Sequence, residues 1–285
     1  EYTLELIASK KFYAGTTSFV NGGVTNIVSD TSIHLAANAE TQALRHYATH
    51  KDLRIIYTVA EIAYRLIANK KDITSPADLK GKRIGTFPST SAAHFVEKLL
   101  ASAGLGASGY SVVSGSICSA HLAVLERSRI CFSTDLSTQS GCGDQLYNLP
   151  STRLERPIWR YSKIRQTIYR EIFNLHSTAT KHKDAATRKG IIALLKALNQ
   201  ALNIYNTDPS SIFSQVSSAV GVSAAVLKEV WPVHSFNGTI LAPDVLDFLV
   251  QEDAWVAQRD RRNAMTKEEL TNLIDPSVLA EALES

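Results

Sequence analysis

Cysteine, methionine and long apolar runs are what this sequence has least of. Its 285 residues include three cysteines, one methionine and three tryptophans. The cysteines, Cys118, Cys131 and Cys142, are odd in number, which excludes a complete disulfide framework. With His121 they open as C-x-x-H, but the later spacings match no compact zinc module, and no metal is expected. His46 and His50 stand four apart without an acidic ligand beside them, so they are read as surface or packing residues. No apolar stretch approaches the roughly 18 residues of a spanning helix, and no membrane insertion is expected. The formal charge is only +3. No basic run of five or more residues interleaves with aromatics, which excludes nucleic acid as a partner. A nucleophile elbow, an H-E-x-x-H helix, a Walker A loop and a dinucleotide fingerprint are all missing, so no catalytic residue is assigned. The start has no charged and apolar leader, so a secretory signal is expected to be absent or removed. Beginning at Glu1 without Met points to a trimmed chain.

What is present is enough apolar material for a sizeable core, 45% of the residues, in a chain longer than one typical domain. The first half alternates helix and strand, which predicts an α/β architecture with parallel-rich sheets flanked by helices. Helix is expected over 2–13 and 39–50, and strands over 17–20, 31–36, 53–58, 63–68 and 82–87. The turn Asn21-Gly22-Gly23 ends the first of these strands. The last hundred residues read as helical. Ile191, Leu195, Leu198, Leu202 and Tyr205 form one stripe, and Asp208-Pro209, Ser223, Pro243, Thr266 with Glu269, and Asp275-Pro276 mark helix starts.

Ligands in open α/β sheets lie beyond the carboxyl ends of strands, which singles out the residues that follow each strand. After 31–36 come Asn38, Glu40 and Thr41; after 53–57 come Thr58 and Glu61. Asn38 is equally a plain N-cap, Glu40 a first-turn acid favoured by the helix dipole, and Glu61 a partner for Arg65. After 82–87, Pro88 breaks the strand and Ser89, Thr90 and Ser91 sit where a helix to about Ala103 must begin. Backbone N–H groups there lack internal partners, so the turn can hold an anion, or the hydroxyls can simply cap the helix. His94 follows in that helix.

The segment Ile73-x-x-Pro76-x-Asp78-Leu79-Lys80-Gly81-Lys82-Arg83-Ile84-Gly85, with its hydroxyl turn and a helix ending near Ala103-Gly104-Leu105, resembles the solute-binding proteins of ABC importers for nitrate, sulfonate and taurine. The same family includes the thiamine-pyrimidine synthases of fungi, and AANAETQALRHYA and YREIFNLHSTA resemble fungal members. The resemblance covers residues 1–115 and 168–282. It implies a two-lobed periplasmic-binding-protein type II fold that closes like a hinge on a small polar ligand, with a helical C-terminal part and a further strand ahead of Glu1. Lobe one would be 1–69 plus 172–285 and lobe two the inserted 70–171. Ser89, Thr90 and Ser91 resemble the anion-contacting turn, while Asn174 and His176 would lie on the return crossing.

The function implied is binding without catalysis, the ligand being a sulfonate, nitrate or pyrimidine-like molecule. A sulfonate or nitrate site needs donors and no nearby carboxylate; Glu40 and Glu61 would suit an amine or an aminopyrimidine. The partner would be an ABC permease if the chain is bacterial and periplasmic; a fungal chain would be cytoplasmic. The alternative is a thiamine-pyrimidine synthase using pyridoxal phosphate and iron. Residues 117–165 do not resemble the family. Their periodicity fades, as expected of an insertion or a shifted reading frame.

Overall fold

The computed structural model describes residues 2–62, 64–69, 73–113, 130–133, 158–161, 168–239 and 245–284. The chain divides into two compact units, the first Glu1–Glu61, Ile172–Val216 and His234–Ser285, the second Ile62–Glu171 and Ser217–Val233. Each unit holds a β-sheet with helices packed on it, and the C-terminal part is helical.

In the first unit, strands β1 (Ala36–Ala39), β2 (Leu53–Ile62), β8 (Glu171–Thr178) and β9 (His234–Ser235) form a sheet of order β1-β8-β2-β9. β1 and β8 are antiparallel, with Ala36 opposite His176 and Asn38 opposite Asn174. Every residue of β8 is buried, as a strand flanked on both sides requires. Helix α1 (Thr3–Lys11) lies along α6 (Ala185–Thr207), whose Ile191, Leu195, Leu198 and Tyr205 are buried at helical spacing. After the short helix α5 (Ala179–Lys183), Asp184 starts α6 by accepting the Thr187 N–H at 2.8 Å. Helix α3 (Glu40–Tyr47) packs on α9 (Val245–Asp260), and Arg45 Nε meets Asp260 at 2.8 Å. Thr266 and Glu269 form the expected capping box at α10 (Lys267–Thr271), and Asp275 accepts the Ser277 N–H of α11 (Ser277–Glu284).

Several boundaries differ from expectation. Residues 17–20 form no strand, and Phe19 and Val20 are exposed. An extended segment needs a neighbour for its N–H and C=O groups, and the residue types of a short run do not supply one. The strand expected over 31–36 begins only at Ala36, because the Asp30 carboxylate takes the Ser32 N–H and hydroxyl and holds a turn there. A short helix, α2 (Val24–Ser29), was not foreseen. The 53–58 strand runs on to Ile62, which puts Thr58 and Glu61 inside it. Asp208 caps no N–H; its carboxylate accepts the Ser210 hydroxyl, and a 3-10 turn at Pro209–Ile212 precedes α7 (Phe213–Val220). Ser223 does cap α8 (Ala224–Val230), and Pro243 lies outside the described residues.

The second unit holds β3 (Arg65–Asn69), β4 (Arg83–Gly85), β5 (Ser111–Val113), β6 (Ile130–Ser133) and β7 (Ile158–Tyr161), in the order β5-β4-β6-β3-β7. β4 runs parallel to β5 and β6, while β3 is antiparallel to β6 and β7. Helix α4 (Ser91–Ser102) buries Phe95, Val96, Leu99 and Leu100 against Ile84, Leu79 and Leu66. Within 117–165, where periodicity fades, the described residues are two strands that both pair with β3. Cys131 lies on β6; Cys118, His121 and Cys142 fall outside the described residues.

Candidate functional site

In the first unit the candidates gather around β1, β8 and β2. Asn38 lies inside β1, across the register from Asn174, with both side chains on one face of the sheet. Its Oδ1 accepts the Ala39 N–H at 2.9 Å, and its Nδ2 packs against Gly23, where a Cβ would collide. Thr58 Oγ1 donates to Asn174 Oδ1 at 3.1 Å, and Asn174 Nδ2 donates to Ile172 O at 3.3 Å. Burial of these groups is offset by those bonds. Glu40 is fully buried and turns to the backbone, its Oε2 accepting the Ile172 N–H at 2.9 Å. Glu61, half-buried, accepts from Asn237 Nδ2 at 3.2 Å.

Two atoms of this group have no partner among the described residues: Thr41 Oγ1 and His176 Nε2, both in residues with no exposed surface. His176 Nδ1 lies 3.0 Å from the Ala36 carbonyl, which can only accept, so the ring proton sits on Nδ1. Burial, helped by the nearby His46, drives the imidazole pKa down to about 4. His176 therefore presents a bare nitrogen acceptor, and Thr41 an unused hydroxyl.

In the second unit the chain leaves β4 through a tight turn in which Ser89 takes a left-handed φ of +61°, a conformation a non-glycine residue holds only at a cost. Thr90, the N-cap of α4, donates its hydroxyl to Phe87 O at 2.8 Å and caps no N–H of the helix. Ser91 Oγ donates to Glu171 Oε1 at 2.9 Å, and Tyr64 OH lies 2.7 Å from the same oxygen and 2.6 Å from Ser91 Oγ. All three side chains are buried. The ring of Tyr64 stacks on Phe95, and His94 meets Tyr169 edge-on, their centroids 5.2 Å apart in each pair.

Sequence reasoning placed Ser89, Thr90 and Ser91 at a helix start but missed Tyr64 and Glu171. The signal was there: an acid opening the otherwise apolar run Glu171-Ile172-Phe173 must be buried with donors or not at all. Among the described residues no three of His, Cys, Asp and Glu stand together, and no helix is long and apolar enough to cross a membrane.

The comparisons with known proteins agree with this architecture. The sequence profile described as NMT1/THI5 like matches residues 20–209, while no curated protein matches in sequence. The alkanesulfonate-binding protein SsuA from Xanthomonas axonopodis pv. citri, bound to MOPS, superposes with a TM-score of 0.63 at 17% identity, over 88% of this chain and 82% of that one. The periplasmic aliphatic sulphonate-binding protein SsuA from Escherichia coli gives 0.67 at 15% identity, over 86% and 77%. The ligand-binding component of an ABC-type import system from Staphylococcus aureus, with zinc bound, gives 0.73 at 11% identity, over 100% and 96%. At such identities the structures speak for the fold. The matched profile spans more than half of the chain, which belongs to the NMT1/THI5-like family.

Proposed function

We propose that the chain is a solute-binding protein that holds a small polar ligand with an anionic group, without catalysis. The observation that carries this reading is the start of α4. No side chain caps it, its N-cap hydroxyl is turned to Phe87 O, and a strained Ser89 shapes the turn before it. First-turn N–H groups left without a side-chain acceptor among the described residues can hold an anion, which a helix N-terminus favours by about 0.3–1 kcal/mol per charge, up to about 2 when partly buried. The sulfonate binders that share the fold support a sulfonate as the anionic group. Delivery to an ABC permease is the role that fits a periplasmic chain. Titration calorimetry with methanesulfonate, nitrate and an aminopyrimidine tests the reading: sulfonate binding is expected, and no heat from any of the three counts against it.

The alternative within the family is a thiamine-pyrimidine synthase using pyridoxal phosphate and iron. The polar residues brought together, Asn38, Thr41, Thr58, Asn174 and His176 in one unit and Ser89, Thr90 and Ser91 in the other, offer one histidine and no lysine. Among the described residues that donor set supports the binding reading, and no step is derived through these groups. Pyridoxal absorbance in the purified protein would reverse the choice.

A further inference from the structure

Two Asn-Gly pairs occur in the chain, Asn21-Gly22 and Asn237-Gly238. A glycine after asparagine leaves the next backbone nitrogen unshielded by a Cβ, so that nitrogen can reach the carboxamide carbon and close a five-membered ring. Both asparagines are exposed, and neither glycine N–H is hydrogen-bonded among the described residues. Their side chains stand in opposite surroundings. Asn237 is held at both ends of its amide: Oδ1 accepts from Ser235 Oγ at 2.7 Å, and Nδ2 donates to Glu61 Oε1 at 3.2 Å. A carboxylate beside that amide also opposes negative charge developing there.

The Asn21 carboxamide makes no hydrogen bond among the described residues and is left to turn toward Gly22 N. What is bonded is the peptide unit that must react. The Asn21 carbonyl oxygen lies 2.5 Å from Asn26 Nδ2, and a carbonyl can only accept, so the amide nitrogen is the donor. Asn26 belongs to α2, and its side chain lies against the α-carbon of Gly22, where a Cβ would collide with it. The reacting nitrogen and the bonded oxygen share one peptide bond. When Gly22 N loses its proton, the charge spreads by resonance onto the Asn21 oxygen, where the Asn26 donor meets it as an oxyanion-hole donor would.

We propose that Asn21 is a site of covalent self-modification, deamidation through a succinimide, and that Asn26 promotes it by stabilising the attacking amidate. The bond from Gly22 N to Asn21 Cγ forms and the Cγ–Nδ2 bond breaks. The Gly22 proton goes to solvent, and a proton from solvent leaves with Nδ2 as ammonia. Water then opens either carbonyl of the ring, leaving aspartate or isoaspartate at position 21; nothing is oxidised or reduced. In isoaspartate the main chain runs through the former side chain and gains a methylene. That lengthening falls just ahead of Gly23, which packs under Asn38 Nδ2, so it draws α2 away from β1.

The test is to age the full chain in mildly alkaline buffer, folded and in urea, and to follow aspartate and isoaspartate in the two Asn-Gly peptides by mass spectrometry. Asn21 is expected to convert about tenfold faster than Asn237 in the folded chain, and about tenfold faster folded than in urea, where the two sites should react at similar rates. Asn26→Asp keeps the shape and loses the donor, and Asn26→Ala removes it; each should bring Asn21 down to its rate in urea. Asn237 serves as the check on folding, because it stays slow only while its hydrogen bonds hold. An Asn21 no faster than Asn237, or no faster folded than in urea, overturns the proposal. So does either Asn26 variant keeping the wild-type rate at Asn21 while Asn237 stays slow. The isoaspartyl fraction should unfold at a lower urea midpoint than fresh protein, and aged Asn21→Gln should not shift; an unchanged midpoint overturns the loosening of α2.

Discussion

Two buried titratable groups in the first unit pull stability in opposite directions with pH. Glu5 of α1 is 6% exposed, neither of its carboxyl oxygens has a partner among the described residues, and burial pushes its pKa from 4.5 up to about 7. Its folded value is the higher one, so its contribution is intact below pH 4.5 and is lost as pH rises to about 7. His176 is the reverse: burial takes it from 6.5 down to about 4, so its contribution is intact above pH 6.5 and is lost as pH falls toward 4. Each shift corresponds to about 3 kcal/mol over its full window. The windows overlap, and the slopes offset one another between them. Urea unfolding at pH 5, 6 and 8 should therefore show Glu5→Gln steepening the acid loss and gaining stability at pH 8, and His176→Gln exposing the alkaline loss. A Glu5→Gln profile parallel to the wild type would contradict the assignment.

At the scale of elements, side chains that hold backbone groups set the boundaries. Asp253 of α9 is fully buried, pairs with Arg262 and accepts the Met265 N–H at 2.6 Å, fixing the loop that leads to α10. Asp253→Ala would leave a cation and an N–H without their acceptor; a loss of about 3–5 kcal/mol is expected, read as a fall in the urea midpoint. Gly23, which starts α2 at φ +57°, packs under Asn38. Gly23→Ala adds both left-handed strain and a collision, and should cost about 1–3 kcal/mol by the same measurement. A Gly23→Ala protein as stable as the wild type would show that β1 and α2 are not locked together by this contact.

For the whole molecule, a ligand that binds only the folded chain must raise its melting temperature. Methanesulfonate at a hundred times its Kd should add about 2.7 kcal/mol, and differential scanning calorimetry over a concentration series would read it. A melting temperature unmoved at saturation would count against the binding reading.

The sequence by itself determined the local and periodic features: the α6 stripe from Ile191 to Tyr205, the Thr266–Glu269 capping box, the buried strand at Leu53, and the strand, turn and helix from Arg83 to Ser102. These follow from residue order because their partners are a few positions away. Only the tertiary structure decided what depends on distant neighbours. The 17–20 segment stays out of a sheet although it was expected as a strand, and Glu40 is spent on the Ile172 N–H. Tyr64, Ser91 and Glu171 close a ring across as many as 107 positions. Strand pairing and burial of a charge are settled by which groups arrive from elsewhere in the chain, and one-dimensional spacing carries no record of that.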